Sequence, residues 1–170
     1  MTSSEHSANV LGALALRLHD RMAAAVVDAA DEPESGATTL SWLANFVEQP
    51  HVGLLHQMLG LTPSGAVRMI DRLEADGHLR RGPGTDARST TVRLTARGRR
   101  TAARVGDARL AVLEDALSVL SDRERETLDR LAGKVLVGLK RDRSASRFMC
   151  RLCDSTACGH ADGRCPVAQR

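Results

Sequence analysis

The chain has 170 residues and a net charge of +3, with 42% of its residues hydrophobic and 26% charged. That is enough apolar material for a core, so the chain is not disordered throughout, and no run of 18 or more apolar residues exists to span a membrane. Trp42, Phe46 and Phe148 are the only aromatics. A core of Leu, Val and Ala suits interlocking helices rather than a β-sandwich, and few platforms exist for stacking single-stranded bases.

Residues 1–9 are polar and lack the basic and apolar regions of a signal peptide, so a cytoplasmic location is expected. Val10, Leu11, Leu14, Leu18, Met22, Val26 and Ala29 then recur at three- and four-residue steps and predict a long amphipathic helix over 8–30. Pro33 and Gly36 mark a loop over 31–38. A short helix over 39–47 buries Leu40, Leu43 and Phe46, and another follows over 51–59.

Gly60-Leu61-Thr62-Pro63 is the clearest local signal. Gly60 suits the left-handed cap of one helix, Thr62 the N-cap of the next, and Pro63 its first position, where the missing N–H costs nothing. That helix is predicted over 63–76, ending at Gly77, with Ala66, Val67, Ile70 and Leu73 facing inward and Ser64, Gly65, Arg68, Met69 and Arg72 facing outward. Extended runs over 78–82 and 90–94 flank a turn-rich stretch and read as a β-hairpin with an arginine near its tip. Thr95 caps a long helix to about residue 119. Ser121 and Glu124 form a capping box for a last helix to about residue 140, whose inner face is Leu128, Leu131, Val135 and Leu139.

Two short helices joined by a tight turn, with a hairpin behind the second, make a winged helix-turn-helix. The charge distribution fits. Residues 62–104 carry a net +6, whereas residues 1–61 carry −5 and residues 105–139 carry −2. A basic segment inside an acidic chain marks a local polyanion-binding face. The recognition helix would reach base edges in the major groove through its first turns. Ser64 and Gly65 permit close approach, Arg68 lies one turn on and is placed for a guanine, and Arg72 is placed for a phosphate. Arg88 at the hairpin tip would enter the adjacent minor groove. Each residue also has a local role open to it: Ser64 on the orphan N–H groups of the first turn, Arg72 paired with Asp76, Asp86 and Arg88 as turn chemistry, and Met69 as apolar filler.

The stretch from Leu61 to Arg100 resembles the multiple-antibiotic-resistance regulator (MarR) family. The likeness is carried by Leu61-Thr62-Pro63-Ser64, by Asp71-Arg72-Leu73-Glu74 with Gly77 after it, by Arg80-Arg81, by Asp86 with Arg88, and by Leu94-Thr95-x-x-Gly98. The resemblance implies a mainly α-helical homodimer in which N- and C-terminal helices of two subunits interlock and two recognition helices read a palindrome. It also implies that Asp86 braces Arg88, and that the usual role is repression relieved by a small ligand or thiol oxidation. The expected DNA-contacting set is therefore Thr62, Ser64, Gly65, Arg68, Arg72, Arg81, Asp86 and Arg88. One departure is the helix over 51–59, whose His51-Val52-Gly53-Leu54-Leu55 lacks the family's acidic Glu-Leu-Ala pattern.

The final stretch holds every cysteine: Cys150-x2-Cys153-x4-Cys158-x6-Cys165-Pro166. Four soft ligands within sixteen residues predict a metal site, because zinc takes four thiolates in a tetrahedron and a segment this short buries no core of its own. Structural zinc is the expected cofactor, with Arg147, Arg151 and Arg164 offsetting its thiolates. An iron–sulfur cluster stays open, since the terminal Cys-Pro is similar to bacterial ferredoxin runs, as do disulfides or free redox thiols. His160 is expected to be a bystander. A thiol enzyme is not expected: no βαβ setting surrounds Cys150 and Cys153, and no Ser/His/Asp or paired-carboxylate constellation stands out. The organisation read from the chain is a dimerisation helix and loop (1–38), a winged helix-turn-helix domain (39–100), dimerisation helices (101–143) and a small Cys-rich metal-binding tail (144–170).

Overall fold

A computed structural model describes residues 2–46, 50–84, 90–140 and 148–168. Six helices and one hairpin run in the order α1 (Ser3–Ala30), α2 (Glu34–Asn45), α3 (Val52–Leu59), α4 (Pro63–Ala75), β1 (Leu79–Pro83), β2 (Thr90–Leu94), α5 (Ala96–Leu117) and α6 (Asp122–Leu139). Among the described residues, no helix is long and apolar enough to cross a membrane.

Helix α1 begins five residues before its predicted start at residue 8, because a capping box closes its first turn. The Glu5 N–H donates to Thr2 Oγ1 and the Thr2 N–H donates to Glu5 Oε2. Helix α2 likewise begins inside the stretch predicted as a loop. Pro33 stands at its N-cap, where φ near −65° suits the entry to a helix, and its carbonyl accepts from the Gly36 and Ala37 N–H groups. Gly36 does not break the helix. It lets the first turn press on Glu32 and Arg72: a Cβ there would lie 3.0 Å from Glu32 Oε2. Val47, the predicted end of this helix, lies outside the described residues.

Strands β1 and β2 pair antiparallel from Leu79 opposite Leu94 to Pro83 opposite Thr90. His51, just before α3, adds a bridge to Thr91, and the Val92 N–H donates to the Pro50 carbonyl at 3.2 Å. The wing is thus stitched to the start of the helix-turn-helix. One core unites the helix-turn-helix and the hairpin: Leu40, Trp42 and Leu43 of α2, Leu55 and Met58 of α3, Met69, Ile70 and Leu73 of α4, Leu79 and Val92 of the hairpin, and Ala102 of α5. A smaller cluster of Val26, Ala30, Ala37 and Val105 joins α1, α2 and α5, with Leu152 of the tail against it.

The expected inner face of α6 is not covered within its own chain. No α6 residue is buried, and Leu131 and Val135 are each 48% exposed. Val10, Leu11 and Leu14 of α1 are exposed as well. Both helices are amphipathic as predicted, but their apolar stripes face outward.

Gly98 explains the last piece of the resemblance. Thr95 caps α5, its hydroxyl accepting from the Gly98 N–H at 3.0 Å. The helix then starts directly under β1: a methyl on Gly98 would sit 2.1 Å from the His78 carbonyl oxygen. Gly98→Ala should therefore lower the unfolding free energy by about 1–3 kcal/mol through overpacking. Gly106→Ala on the same helix, where a methyl meets nothing within 4 Å, should raise it by about 0.5–1 kcal/mol by removing glycine's entropy cost in a helix. Urea midpoints of the two variants, shifted in opposite directions, check the packing.

Candidate nucleic-acid interface

Helix α4 is placed by its two ends. Gly60 closes α3 in the left-handed region at φ 63°. Two residues later Thr62 begins α4, its hydroxyl accepting from the Gly65 N–H at 3.1 Å and lying 3.3 Å from the Ser64 hydroxyl. At the other end Gly77, with φ 72°, turns the chain into β1. Ala66, Met69, Ile70 and Leu73 are buried. That leaves Ser64, Val67, Arg68, Asp71 and Arg72 on the exposed face.

This corrects the predicted faces. Met69, expected outside, is 3% exposed and receives a hydrogen bond from the Thr39 hydroxyl to its sulfur at 3.1 Å. Val67, expected inside, is 44% exposed. Both 66, 67, 70, 73 and 66, 69, 70, 73 keep to steps of three and four, and the core beneath α4 selects the second.

The expected DNA-contacting residues differ in how free they are. Arg68 is exposed and makes no ion pair or hydrogen bond among the described residues. Arg72 pairs not with Asp76 but with Glu32, its Nε donating to Glu32 Oε2 at 3.0 Å while the side chain stays 42% exposed. Glu32 is only 5% exposed, and its other oxygen lies 3.9 Å from His78 Nε2. Arg81 is likewise engaged. Its guanidinium pairs with Asp71 and Glu74, and its backbone N–H donates to Glu74 Oε1 at 3.0 Å. That backbone bond holds the Glu74 carboxyl below the usual range, and the two acids hold the Arg81 pKa up. Arg81 therefore laces α4 to β1. Thr62 and Gly65 form the cap itself. Asp86 and Arg88 lie outside the described residues.

Glu32 was missed in the sequence because an acid beside Pro33 in a short corner looks like solvated loop. Also missed was a cavity of about 840 Å³ between α2, β2, α5 and the tail. Arg93, Arg99 and Arg109 bring cationic groups to its wall and Asp107 and Asp154 bring acidic ones, among apolar residues such as Leu43, Leu94 and Leu152, with Cys153 and Cys158 on the tail side.

The tail is folded by tight turns. The Cys153 N–H donates to the Cys150 carbonyl at 2.9 Å, and the Arg164 N–H donates to the Gly159 carbonyl at 3.0 Å, which returns the chain toward Cys158. The thiols accordingly stand as two pairs, Cys150 with Cys153 and Cys158 with Cys165, none in a disulfide. The hydrogen bond within the first pair holds Cys153 down and pushes Cys150 up, and burial pushes Cys158 up. All three other thiols act electrostatically on Cys150. Among the described residues, however, no three His, Cys, Asp or Glu side chains are arranged to hold a metal ion. The four cysteines gather in one place, but as two pairs and not as the expected tetrahedral set. His160 packs edge-on against Phe46, with ring centroids 5.9 Å apart. Arg151 lies over the Phe148 ring at 4.1 Å, Arg164 pairs with Asp162, and Arg147 lies outside the described residues.

No protein-family model matches the chain, and no curated protein does. Its fold is nonetheless a winged helix-turn-helix, and solved structures share it. A MarR-family transcriptional regulator from Streptomyces coelicolor, solved in complex with DNA, superposes with a TM-score of 0.64 at 21% identity over 84% of this chain and 92% of that one. A MarR-family protein from Bacillus stearothermophilus gives 0.66 at 24% identity, over 79% and 96%. A MarR-family transcriptional regulator from Silicibacter pomeroyi gives 0.61 at 24% identity, over 76% and 90%. The chain therefore has the fold of the MarR-family transcriptional regulators.

Two expectations follow from the α4 surroundings. Arg72→Ala leaves the Glu32 carboxylate buried without its partner and should cost on the order of 1–3 kcal/mol in a urea melt. Arg68→Ala, which breaks no contact, should leave the midpoint unchanged. The second concerns His78. Its pKa is held below the ordinary histidine value of 6.5, first by burial and then by Arg97, against the pull of Glu32 and Asp76; Arg104 adds a further downward push. Its Nδ1 is buried with no hydrogen-bond partner among the described residues. The unfolded chain takes up this proton first, so stability is full above pH 6.5 and falls as pH drops toward the folded pKa. His78→Gln should flatten that fall in urea melts run at neutral and mildly acidic pH. An identical acid dependence in both proteins would show that another group carries it.

Proposed function

We propose that the protein is a homodimeric transcriptional regulator that binds double-stranded DNA in a sequence-specific manner and acts as a repressor. The observation that carries this is the exposed face of α4: a capped helix N-terminus with Ser64, Val67 and an Arg68 that has no partner among the described residues, fixed on a winged helix-turn-helix whose fold is shared by a regulator solved with DNA. A guanidinium at that position matches guanine in the major groove, and the Val67 side chain matches a thymine methyl. Thr62, Ser64 and Gly65 favour a phosphate at the helix N-terminus. Arg88, with Asp86 beside it in sequence, would serve the minor groove. Arg72 and Arg81 act chiefly by holding α4.

The exposed apolar stripes of α1 and α6 support the dimer, since a second copy supplies the surface that each lacks. Two α4 helices related by a two-fold axis read a pseudo-palindrome. The cavity beside α5, where three arginines and two aspartates stand among apolar residues, suits a small amphipathic effector with a polar group. The four cysteines suit one structural zinc ion. The side-by-side thiol pairs favour a second reading, in which an iron–sulfur cluster or the thiols sense redox state. Elemental analysis with an absorbance spectrum of anaerobically prepared protein separates them: a colourless protein with one zinc per chain supports the first, and a brown one the second.

The test of DNA reading is selection from a random-sequence duplex pool, then anisotropy at fixed salt. A two-fold symmetric motif should emerge. Arg68→Ala should weaken binding to it by about 1–3 kcal/mol and relax preference at one base pair per half-site. An equal loss on every sequence would remove Arg68 from base reading, and failure to enrich any motif would overturn the proposal. Transcription in vitro from a promoter carrying the motif should fall when protein is added.

A further inference from the structure

Glu32 reaches α4 from outside the helix-turn-helix. It stands at the corner where α1 ends and α2 begins, and its backbone is fixed from both sides. Asp31 before it caps α1 in the left-handed region at φ 54°, and Pro33 after it opens α2 at φ −54°. A residue before proline is pushed to extended backbone, so this corner sets the direction of the Glu32 side chain. That side chain is 3% exposed. One carboxylate oxygen faces His78, and the other accepts from Arg72 Nε at 3.0 Å. Gly36 leaves bare backbone against the pair: a Cβ there would stand 3.0 Å from Glu32 Oε2 and 3.3 Å from Arg72 Nη2.

The bond occupies only the Nε side of the guanidinium. Nη1 and Nη2 make no hydrogen bond among the described residues, and Arg72 is exposed one helical turn beyond Arg68 on the same face of α4. A guanidinium is a rigid fork of N–H groups, so it can serve a carboxylate along one edge and a phosphate along another. An ion pair with a buried partner adds little net stability, because desolvation offsets the attraction. What this pair supplies is orientation. We infer that Glu32 is a positioning residue for DNA binding, which holds Arg72 by Nε and presents its terminal nitrogens to a backbone phosphate beside the bases that Arg68 reads. This rests on the DNA reading given above. An arginine already fixed loses little rotamer freedom when a phosphate takes its other edge, so the contact is stronger than one from an untethered side chain. The direction of Arg72 is then set by the end of the long helix α1, and not by α4 alone.

The experiment measures affinity for the selected duplex, and its salt dependence, for full-length protein. The parent, Glu32→Ala, Arg72→Ala and the double variant are compared, each shown to be folded by a urea melt. Arg72→Ala should weaken binding about equally on every sequence and reduce the salt slope by about one per protomer. Glu32→Ala should weaken binding by about three- to tenfold while Arg72 is present, and should not weaken it where Arg72 is already alanine. Tighter binding by Glu32→Ala would mean that Glu32 withholds Arg72 from DNA, and overturns the proposal. An equal loss in both backgrounds overturns it too, as does an Arg72→Ala protein with the parent's affinity and salt slope. Should Glu32→Ala not fold, Arg72→Lys decides: it keeps the charge but has no second edge, so binding should weaken, and parent-like binding overturns the proposal. Variants that all bind like the parent sink the positioning role and leave the DNA reading standing. A parent that binds no duplex removes both.

Discussion

A carboxylate that is nearly out of solvent sits at the centre of this molecule. Glu32 lies at the corner between α1 and α2, 5% exposed, and takes its partner from α4, the Arg72 guanidinium. A buried charge is tolerated only when it is paired and hydrogen-bonded, so the corner, the recognition helix and the His78 imidazole at the foot of the wing must keep one arrangement. Gly36 gives α2 the clearance to close over them. The apolar core beneath α4 supplies bulk stabilisation but is tolerant of small slides. The ion pair fixes direction, and thereby which side chains of α4 face outward.

The lacing of Arg81 to Asp71 and Glu74 does the same for the junction of α4 with β1, and the close approach of Gly98 to the His78 carbonyl fixes the start of α5 against the foot of the hairpin. The winged helix-turn-helix and the long helices are therefore joined through backbone contact and buried charge. Arg68, which makes no ion pair or hydrogen bond among the described residues, is held on a helix fixed by the engaged Arg72.

Much of this was legible in the sequence wherever a local backbone requirement picks the residue. Gly60 as a left-handed cap, Thr62-Pro63 at a helix start, Ser121 with Glu124 as a capping box, and Thr95 before Gly98 are dictated within a few residues, and each stands where it was read. What was not legible depends on partners distant in sequence. Met69 and Val67 exchanged faces because helical periodicity alone does not choose between adjacent apolar residues until the rest of the core is known. Arg72 was read for its charge, since nothing near it in the chain announces Glu32 forty residues earlier. The apolar stripe of α6 was read correctly as a stripe, but whether its own chain covers it is a tertiary matter. Four cysteines in sixteen residues announced a cluster, but the turns decide which thiols lie side by side.

The cavity between α2, β2 and α5 has one wall made of the tail, with Cys153 and Cys158 in it and Arg93 of the wing opposite. A molecule filling that space touches the same residues that would ligate an ion. Were an ion and a small molecule both to bind there, linkage would be reciprocal: whatever factor the one applied to the affinity of the other would be returned in full.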